Sequence, residues 1–310
     1  MKKAWRQIGR AVGLFAIYLG AQLTVSNAIS LVCTLKETMR LRAEGVTDYQ
    51  TLYNAGVAAT NEKMSLIYLG FTLLTFAVYL IIFAARKVNP LEQVDARKTS
   101  VPMILISLVG GIGATLFFNS GMGLLPLPDS ALEAINSRQG IMMTNGVVLD
   151  ILLYAILMPL LEEVVFRGLV YGRLRRGMPI IAATLITSVV FGVCHGSPLW
   201  IVYAFFIGLV MNYARIMSGS ILTSFAVHFA INLIGVLDMY ILSEPANIPG
   251  MILFTVIGAV LLAAFIFVAY LLQKKEGNIA KEAERLAEEE AEEIRRREER
   301  RNRNQNVFMM

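Results

Sequence analysis

The sequence predicts an all-α polytopic membrane protein of about eight transmembrane helices, followed by a charged cytoplasmic C-terminal helix. Two observations support this prediction. Of the 310 residues, 56% are hydrophobic and only 16% are charged, a balance typical of a chain whose main solvent is lipid. The apolar residues also lie in long runs. In lipid such runs form helices, because every backbone N–H and C=O must be paired internally.

Apolar runs of about 20 residues, the length that crosses a bilayer core as a helix, define the predicted spans. The first run follows a basic N-terminus and resembles a signal peptide. It is too long for that and lacks a clean small-residue cleavage site, so we expect an uncleaved first span. The predicted spans are Ala11 to Leu35, Met64 to Ala85, Val101 to Phe118, Val147 to Tyr171, Pro179 to Cys194, Leu199 to Ala214, Ile221 to Leu242, and Pro249 to Leu272.

The distribution of Lys and Arg predicts the orientation. Basic residues cluster at the N-terminus and after the second, fourth, sixth and eighth spans, whereas the connections around Ser197 and from Asp238 to Glu244 carry none. The mixed segment from Lys36 to Lys63 is the exception. By the positive-inside rule we expect a multi-pass cell-membrane protein with both termini in the cytoplasm. The net charge of +5 forms no patch for nucleic acid.

Two regions are expected. Residues 1–273 form the transmembrane domain, with the polar motifs confined to 147–242, and residues 274–310 form a charged helical or disordered tail. The tail is dense in Glu and Arg spaced three to four residues apart, a pattern that favours a solvated helix with intrahelical ion pairs. A coiled-coil partner site is the alternative, but Leu286 and Ile294 are almost its only large apolar residues.

Span four carries charged residues in an otherwise apolar run, at Glu162, Glu163 and Arg167. Such groups are costly in a membrane and usually face the bundle interior. Glu163 and Arg167 lie on nearly one helix face and can form a charge-compensated pair as structural support. Glu162 points about 100° away. Its carboxylate therefore lacks that cation and suits a general base. Pro159 breaks a helical hydrogen bond just upstream and can open space for water.

The only two histidines of the chain are His195, at the end of predicted span five, and His228, within predicted span seven. His228 and Asn232 are four residues apart and share one helix face, so both can point into a common cavity. At about 1.5 Å per residue, Glu162 reaches the depth of His228 only if span four continues to about Tyr171. We therefore expect the charged motif to lie inside the membrane.

Simpler explanations exist for each residue alone. Either histidine alone would be a hydrogen-bonded core residue, and Asn232 alone would form an interhelical hydrogen bond. Their joint presence with Glu162 favours one shared site. A thiol protease is a further alternative, because Cys194 precedes His195. Adjacent helical residues point about 100° apart, which places that thiol poorly for activation by the imidazole. With only Cys33 as the second cysteine, no disulfide framework is predicted.

These residues resemble the motifs of the CPBP intramembrane proteases, a group of CAAX-processing enzymes and bacteriocin-processing or immunity proteins. The family pattern has a Glu-Glu-x-x-x-Arg, a Phe-x-x-x-His and a His-x-x-x-Asn/Asp motif, in this order. The resemblance covers about Val147 to Leu242. The motif positions are Glu162, Glu163 and Arg167, then Phe191 and His195, then His228 and Asn232.

The resemblance implies an eight-helix membrane fold and endoproteolysis of a membrane-associated or lipid-modified peptide. It also implies that Glu162 with His195 activates a water, while His228 and Asn232 stabilise the oxyanion. Two His and a Glu can also bind zinc with an open water position, so a zinc-dependent version stays open. The missing His-Glu-x-x-His motif, and the poor ligand properties of Asn232, favour a mechanism without a metal cofactor.

Two other classes of function also stay open. A non-proteolytic membrane protein that gives immunity to a peptide toxin, or scaffolds a sensor kinase, would need the motif for folding only. A proton-coupled transporter would use buried Glu and His as a proton relay, but the inverted repeats of transporters are not visible in the sequence. The expected partners are the lipid bilayer and a peptide or protein substrate.

Overall fold

A computed structural model describes residues 2–128, 146–241 and 247–307, and these ranges are helical without β-strands. The predicted end of span seven at Leu242, Glu244, and the tail residues 308–310 lie outside them. The helices are α1 (Lys2–Ala43), α2 (Tyr49–Asn61), α3 (Met64–Ala85), the short α4 (Pro90–Gln93), α5 (Val101–Gly123), α6 (147–175), α7 (Ile180–Val193), α8 (Pro198–Ser218), α9 (Ile221–Ile241), α10 (Ile248–Glu276) and α11 (Asn278–Val307).

Six helices of the described residues are long and apolar enough to cross a membrane, namely α1, α3, α5, α8, α9 and α10. Helix α7 is apolar but has only 14 residues. Helix α6 is divided by wider helical turns. The prediction of an all-α, multi-pass membrane protein is confirmed. The count of eight spans stays a prediction, because it needs α6 and α7 to cross as well.

Helix α6 carries the charged motif and is not a uniform α-helix. Two π-helical segments, Ile151–Leu157 and Val164–Val170, flank the α-helical turn Met158–Glu163. A π segment within an α-helix is rare and is often found at a functional site. The helix runs without a break to Arg175. The expectation that span four continues to about Tyr171 is therefore confirmed.

The first π segment explains the place of the proline. The amide of Met158 donates to the carbonyl of Leu153, five residues back. The same spacing would pair the next carbonyl, that of Tyr154, with Pro159, which has no N–H to donate. This carbonyl must find a partner outside α6, because an unpaired carbonyl in a membrane interior is costly.

Small residues bring α5 to backbone distance from α9 and α10. A Cβ added at Gly111 would lie 2.4 Å from the carbonyl oxygen of Val227, and one added at Gly258 would lie 2.3 Å from the amide nitrogen of Phe117. Only glycine allows helices to approach this closely, as is common in membrane bundles. Because Val227 precedes His228, the first of these contacts holds α9 at the level of the candidate site.

Helix α1 extends well beyond its predicted span. Its 42 residues correspond to about 63 Å at 1.5 Å per residue, whereas the hydrocarbon core is about 30 Å thick. Helix α2 folds back onto it, with Gly56 so close to Thr34 that an added Cβ would lie 2.9 Å from its side chain. The mixed segment from Lys36 to Lys63 is therefore largely a helical hairpin.

The charged tail folds back onto the bundle. Helix α11 starts after Gly277, whose φ of 68° ends α10, and its inner face is not solvated, since Glu282 is 6% exposed. Its acids pair with bases of α1 and α6, including Lys3 with Glu290 at 2.6 Å. The N-terminus, the basic end of α6 and the tail thus meet at one end of the bundle. Their cytoplasmic location stays a prediction.

Candidate active site

The predicted ion pair of α6 is present at the centre of the bundle. Nη1 of Arg167 donates to Oε1 of Glu163 at 2.8 Å, and both side chains are fully buried. The guanidinium also lies 4.3 Å from the centre of the Phe191 ring, and its Nη2 donates to the carbonyl of Gly208 at 3.4 Å. These contacts fix the Glu163 carboxylate through a cation supplied by its own helix.

His228 of α9 joins the two neighbouring glutamates. Its Nδ1 donates to Oε1 of Glu163 at 2.8 Å, so the proton of the neutral ring is on Nδ1, because an ionised carboxylate only accepts. The other ring nitrogen, Nε2, lies 3.7 Å from Oε2 of Glu162. This distance is too long for a direct hydrogen bond, but one water can lie within hydrogen-bonding distance of both atoms.

The two carboxylates differ in access. The Glu162 side chain is 13% exposed, whereas that of Glu163 is 0% exposed. The difference follows from the helix faces, since Glu163 points to Arg167 and the neighbouring residue points elsewhere. Of the two acids, Glu162 is therefore the one that a water or a substrate can reach.

His195 lies just beyond the last residue of α7. Its Nδ1 donates to the carbonyl of Phe191 at 2.8 Å, which leaves Nε2 as the acceptor nitrogen of the neutral ring. The Phe191 ring lies 4.6 Å from the His195 ring and 5.9 Å from the His228 ring. The structure thus groups both histidines around one phenylalanine. The resemblance implies that Glu162 acts with His195, which stays a prediction, and the structure adds His228 beside Glu162.

Asn232 donates a hydrogen bond to the carbonyl that Pro159 leaves without an amide partner. Its Nδ2 donates to the backbone oxygen of Tyr154 at 2.8 Å. This is the carbonyl whose partner in the π pattern would be Pro159. Asn232 therefore has a structural contact in addition to the predicted oxyanion role, which stays a prediction. Its amide carries a second N–H that this contact does not use.

Two groups of α6 have partners on α9 that were not identified from the sequence. The backbone oxygen of Tyr154 is one, and the nearby proline was the signal for it. The other is Asp150, which is 0% exposed and accepts a hydrogen bond from the hydroxyl of Tyr240 at 2.6 Å. An acid inside a span is itself a signal for a specific partner. Gly208, whose carbonyl contacts Arg167, carries no such signal.

A zinc ion fits the arrangement poorly. In the part of the chain that the structure describes, no three side chains of His, Cys, Asp or Glu are grouped so that they could hold a metal ion. The bond of His228 Nδ1 to Glu163 leaves Nε2 available as a ligand, so the obstacle is the lack of a third ligand in reach among the described residues rather than this contact. A zinc site made from Glu162, His195 and His228 would therefore need these side chains to rearrange, whereas a water held beside Glu162 would not.

Residues 144–234 match the family model described as Type II CAAX prenyl endopeptidase Rce1-like. This stretch contains every candidate residue from Glu162 to Asn232. The resemblance to the CPBP and CAAX proteases is therefore confirmed for this stretch, and the match supports a protease-type function. No curated protein and no solved structure matches the chain.

Proposed function

Since residues 144–234 carry the domain of this peptidase family, we propose that the protein is an intramembrane endopeptidase. It cleaves a membrane-associated or lipid-modified peptide by means of a water that Glu162 activates. The proposal depends most on the contrast between the two neighbouring acids. Glu162 is accessible at the edge of the cluster, while Glu163 is sealed by Arg167 and His228.

The charges of the cluster favour one added proton, which we place on His228. Glu162, Glu163 and Arg167 together carry one negative charge, and a proton on His228 brings the sum to zero. A buried cluster favours this neutral sum, because uncompensated charge is costly at low dielectric. In that state Glu162 is ionised and ready to accept a proton, and Nε2 of His228 carries a proton that it can donate.

The proposed reaction uses these two groups in turn. Glu162 takes a proton from the water as the water oxygen bonds to the scissile carbonyl carbon. Nε2–H of His228 donates to the oxyanion that forms, and Glu163 stabilises the imidazolium, as the acid of a catalytic triad does. Glu162 then returns the proton to the leaving amine as the C–N bond breaks. His195, held by Phe191, helps to position the water.

The test is loss of proteolysis in a Glu162→Gln variant, which keeps the shape of the side chain but cannot act as a base. Losing general-base catalysis lowers the rate by about 10²- to 10⁴-fold. Comparative proteomics of membrane peptides, from cells with the wild-type protein or this variant, would identify the substrate. The purified protein would then give the rate. Full activity of a folded Glu162→Gln variant would overturn the proposal.

The matched control is Cys194→Ala, beside His195, which we expect to keep its rate within about twofold of the wild type since it contributes no group to the reaction. Complete loss in this control would support the thiol alternative instead. Lasting inactivation by a chelator, reversed by zinc alone, would favour the metal-dependent version. An immunity phenotype that survives Glu162→Gln in full would favour a non-proteolytic role.

A further inference from the structure

A polar cavity at the basic end of the bundle contains none of the residues of the candidate active site. It has a volume of about 390 Å³ and is bordered by the start of α1, the end of α6 and one side of α11. Five basic and three acidic side chains line it, so its wall has a surplus of positive charge. These residues are Lys3, Arg10, Arg173, Arg175, Arg176, Glu289, Glu290 and Glu293.

The acids of the cavity already have cations. Glu290 pairs with Lys3 at 2.6 Å, and Glu289 pairs with Arg176 at 2.8 Å. Glu293 accepts from Arg6, which lies next to the cavity, at 2.9 Å. The surplus positive charge is therefore not cancelled inside the protein.

The surplus lies on two arginines of α6. Arg173 donates to the uncharged amide oxygen of Gln93 at 2.8 Å. Arg175 has a buried Nε atom without a hydrogen-bond partner in the described part of the chain. Neither arginine has a carboxylate partner among the described residues. Both side chains are half-buried, and a partly desolvated cation without an anion is costly, so these two positions favour an external anion.

A third side chain, Gln7, requires a hydrogen-bond donor rather than an anion. Gln7 lines the cavity, is only 2% exposed, and has an Oε1 atom with no donor in the described residues. Buried polar atoms are normally hydrogen-bonded. A ligand that satisfies this wall must therefore carry an anionic group for the arginines and a hydroxyl or amine donor for Gln7.

The surroundings indicate that the ligand is a lipid. The cavity lies at the basic end of the bundle, where α1 leaves the region predicted to be in the membrane. Trp5, two residues from Gln7, is 70% exposed, and tryptophan is typical of the headgroup level. Further along α1, Val12 and Leu23 are 60% and 62% exposed, so the apolar surface of the helix begins just beyond the cavity residue Arg10.

The geometry points to a binding site for the headgroup of an anionic phospholipid, with its phosphate on Arg173 and Arg175 and a headgroup hydroxyl on Gln7. A phosphoglycerol headgroup supplies both groups. Basic pockets between helices on the cytoplasmic side of a membrane are suited to such lipids. This site is independent of the proposed proteolysis, since it shares no residue with it.

The test is a titration of the full-length purified protein with phosphatidylglycerol, followed by native mass spectrometry. The probes for comparison are phosphatidylcholine, whose headgroup is zwitterionic, and soluble glycerol 3-phosphate. We expect tight binding of about one phosphatidylglycerol. In Arg173→Gln/Arg175→Gln its affinity should fall on the order of 30-fold, from about 1 kcal/mol per basic residue near an anionic membrane surface.

The matched control is Lys87→Gln/Lys98→Gln, which removes two exposed charges from the same end of the bundle and should change the affinity by less than about twofold. Gln7→Glu repels the headgroup without removing a cation, and keeps the test valid if the double variant does not fold. Equal binding of phosphatidylcholine, equal losses in the control, or equal binding of glycerol 3-phosphate would each overturn the lipid site.

Discussion

Two buried clusters of charge, one at the candidate active site and one at the basic end of the bundle, differ in how completely their acids are neutralised. At the site, Arg167 is paired with Glu163, and among the described residues the neighbouring Glu162 has the histidine of α9 but no arginine or lysine within 4 Å. At the basic end, Asp95 contacts Arg215 at 2.7 Å, and two further arginines at 3.1 Å. A carboxylate without an arginine or lysine beside it is suited to accept a proton. A carboxylate held by several arginines is suited to hold helices together.

The second cluster attaches the ends of several helices. The backbone oxygen of Asp95 accepts from the amide of Ile221, the first residue of α9, at 3.1 Å. The adjacent Val94 packs against Gly168 of α6, where an added Cβ would lie 2.7 Å from the valine side chain. This cluster therefore holds the start of the helix that carries His228 and touches the helix that carries Glu162, without taking part in the chemistry.

The largest expected effect comes from removing one arginine of each cluster. Arg167→Met leaves Glu163 buried with only a histidine, so we expect a loss of about 3 to 5 kcal/mol in the free energy of unfolding. Arg285→Met should cost only about 1 kcal/mol, since Asp95 and Glu289 each keep at least one other arginine. Denaturant titrations in mixed micelles would measure both. Equal losses in the two variants would contradict the contrast between the clusters.

A smaller effect is expected from acid. Burial raises the pKa of Asp95, but the guanidinium groups of Arg215, Arg285 and Arg176 outweigh burial, so its pKa lies below the ordinary value. A lowered pKa stabilises the folded state above about pH 4, and this contribution is lost as the pH falls through the lower folded value. Asp95→Asn should therefore be less stable than the wild type at pH 7.

The measurement for Asp95 is the difference in melting temperature between the wild type and Asp95→Asn, from pH 7 down to pH 3. We expect this difference to shrink below about pH 4, where the carboxylate gains a proton first in the unfolded state and then, at lower pH, in the folded state. A difference that stays constant over this range would show that the charge of Asp95 does not stabilise the fold.

The smallest effect is expected at an uncharged contact of the active site. Asn232→Ala removes the donor to the backbone oxygen of Tyr154, and interhelical hydrogen bonds in membranes are worth about 0.6 kcal/mol on average. Unfolding should thus change little. If proteolysis nevertheless falls by about 10²-fold or more, the loss supports the oxyanion role. Proteolysis that falls no more than stability would restrict Asn232 to its structural contact.

The same comparison shows what the sequence could predict. The pair of Glu163 and Arg167 follows from a spacing of four residues on one helix, and helix geometry is enough to predict it. The distinction between Glu162 and Glu163 follows from the same geometry. The direct neighbour of Glu162 could not be predicted, because His228 lies on another helix and its rotation depends on packing, including the contact of Gly111 with Val227.

The contacts of the cluster at the basic end could not be predicted from the sequence. Asp95 and Arg215 are 120 residues apart, and Arg215 and Glu282 are 67 residues apart. No local pattern connects such positions. The tail was expected to be a solvated helix because its charges nearly cancel, and near-cancelling charge says nothing about partners elsewhere. Its attachment to the bundle depends on long-range ion pairs that only the three-dimensional structure reveals.

The π segments of α6 affect both the assignment of its faces and the effect of a deletion. A helical wheel at 3.6 residues per turn assumes that every residue advances the direction by the same angle. In α6 the wider turns before Glu162 break that count, so the faces before and after Ile151–Leu157 follow different phases. Because a π turn closes over one residue more than an α turn, deleting one residue here and letting the turn tighten would roughly keep the direction of Glu162, whereas the same deletion in an α-helical turn would swing it by about 100°.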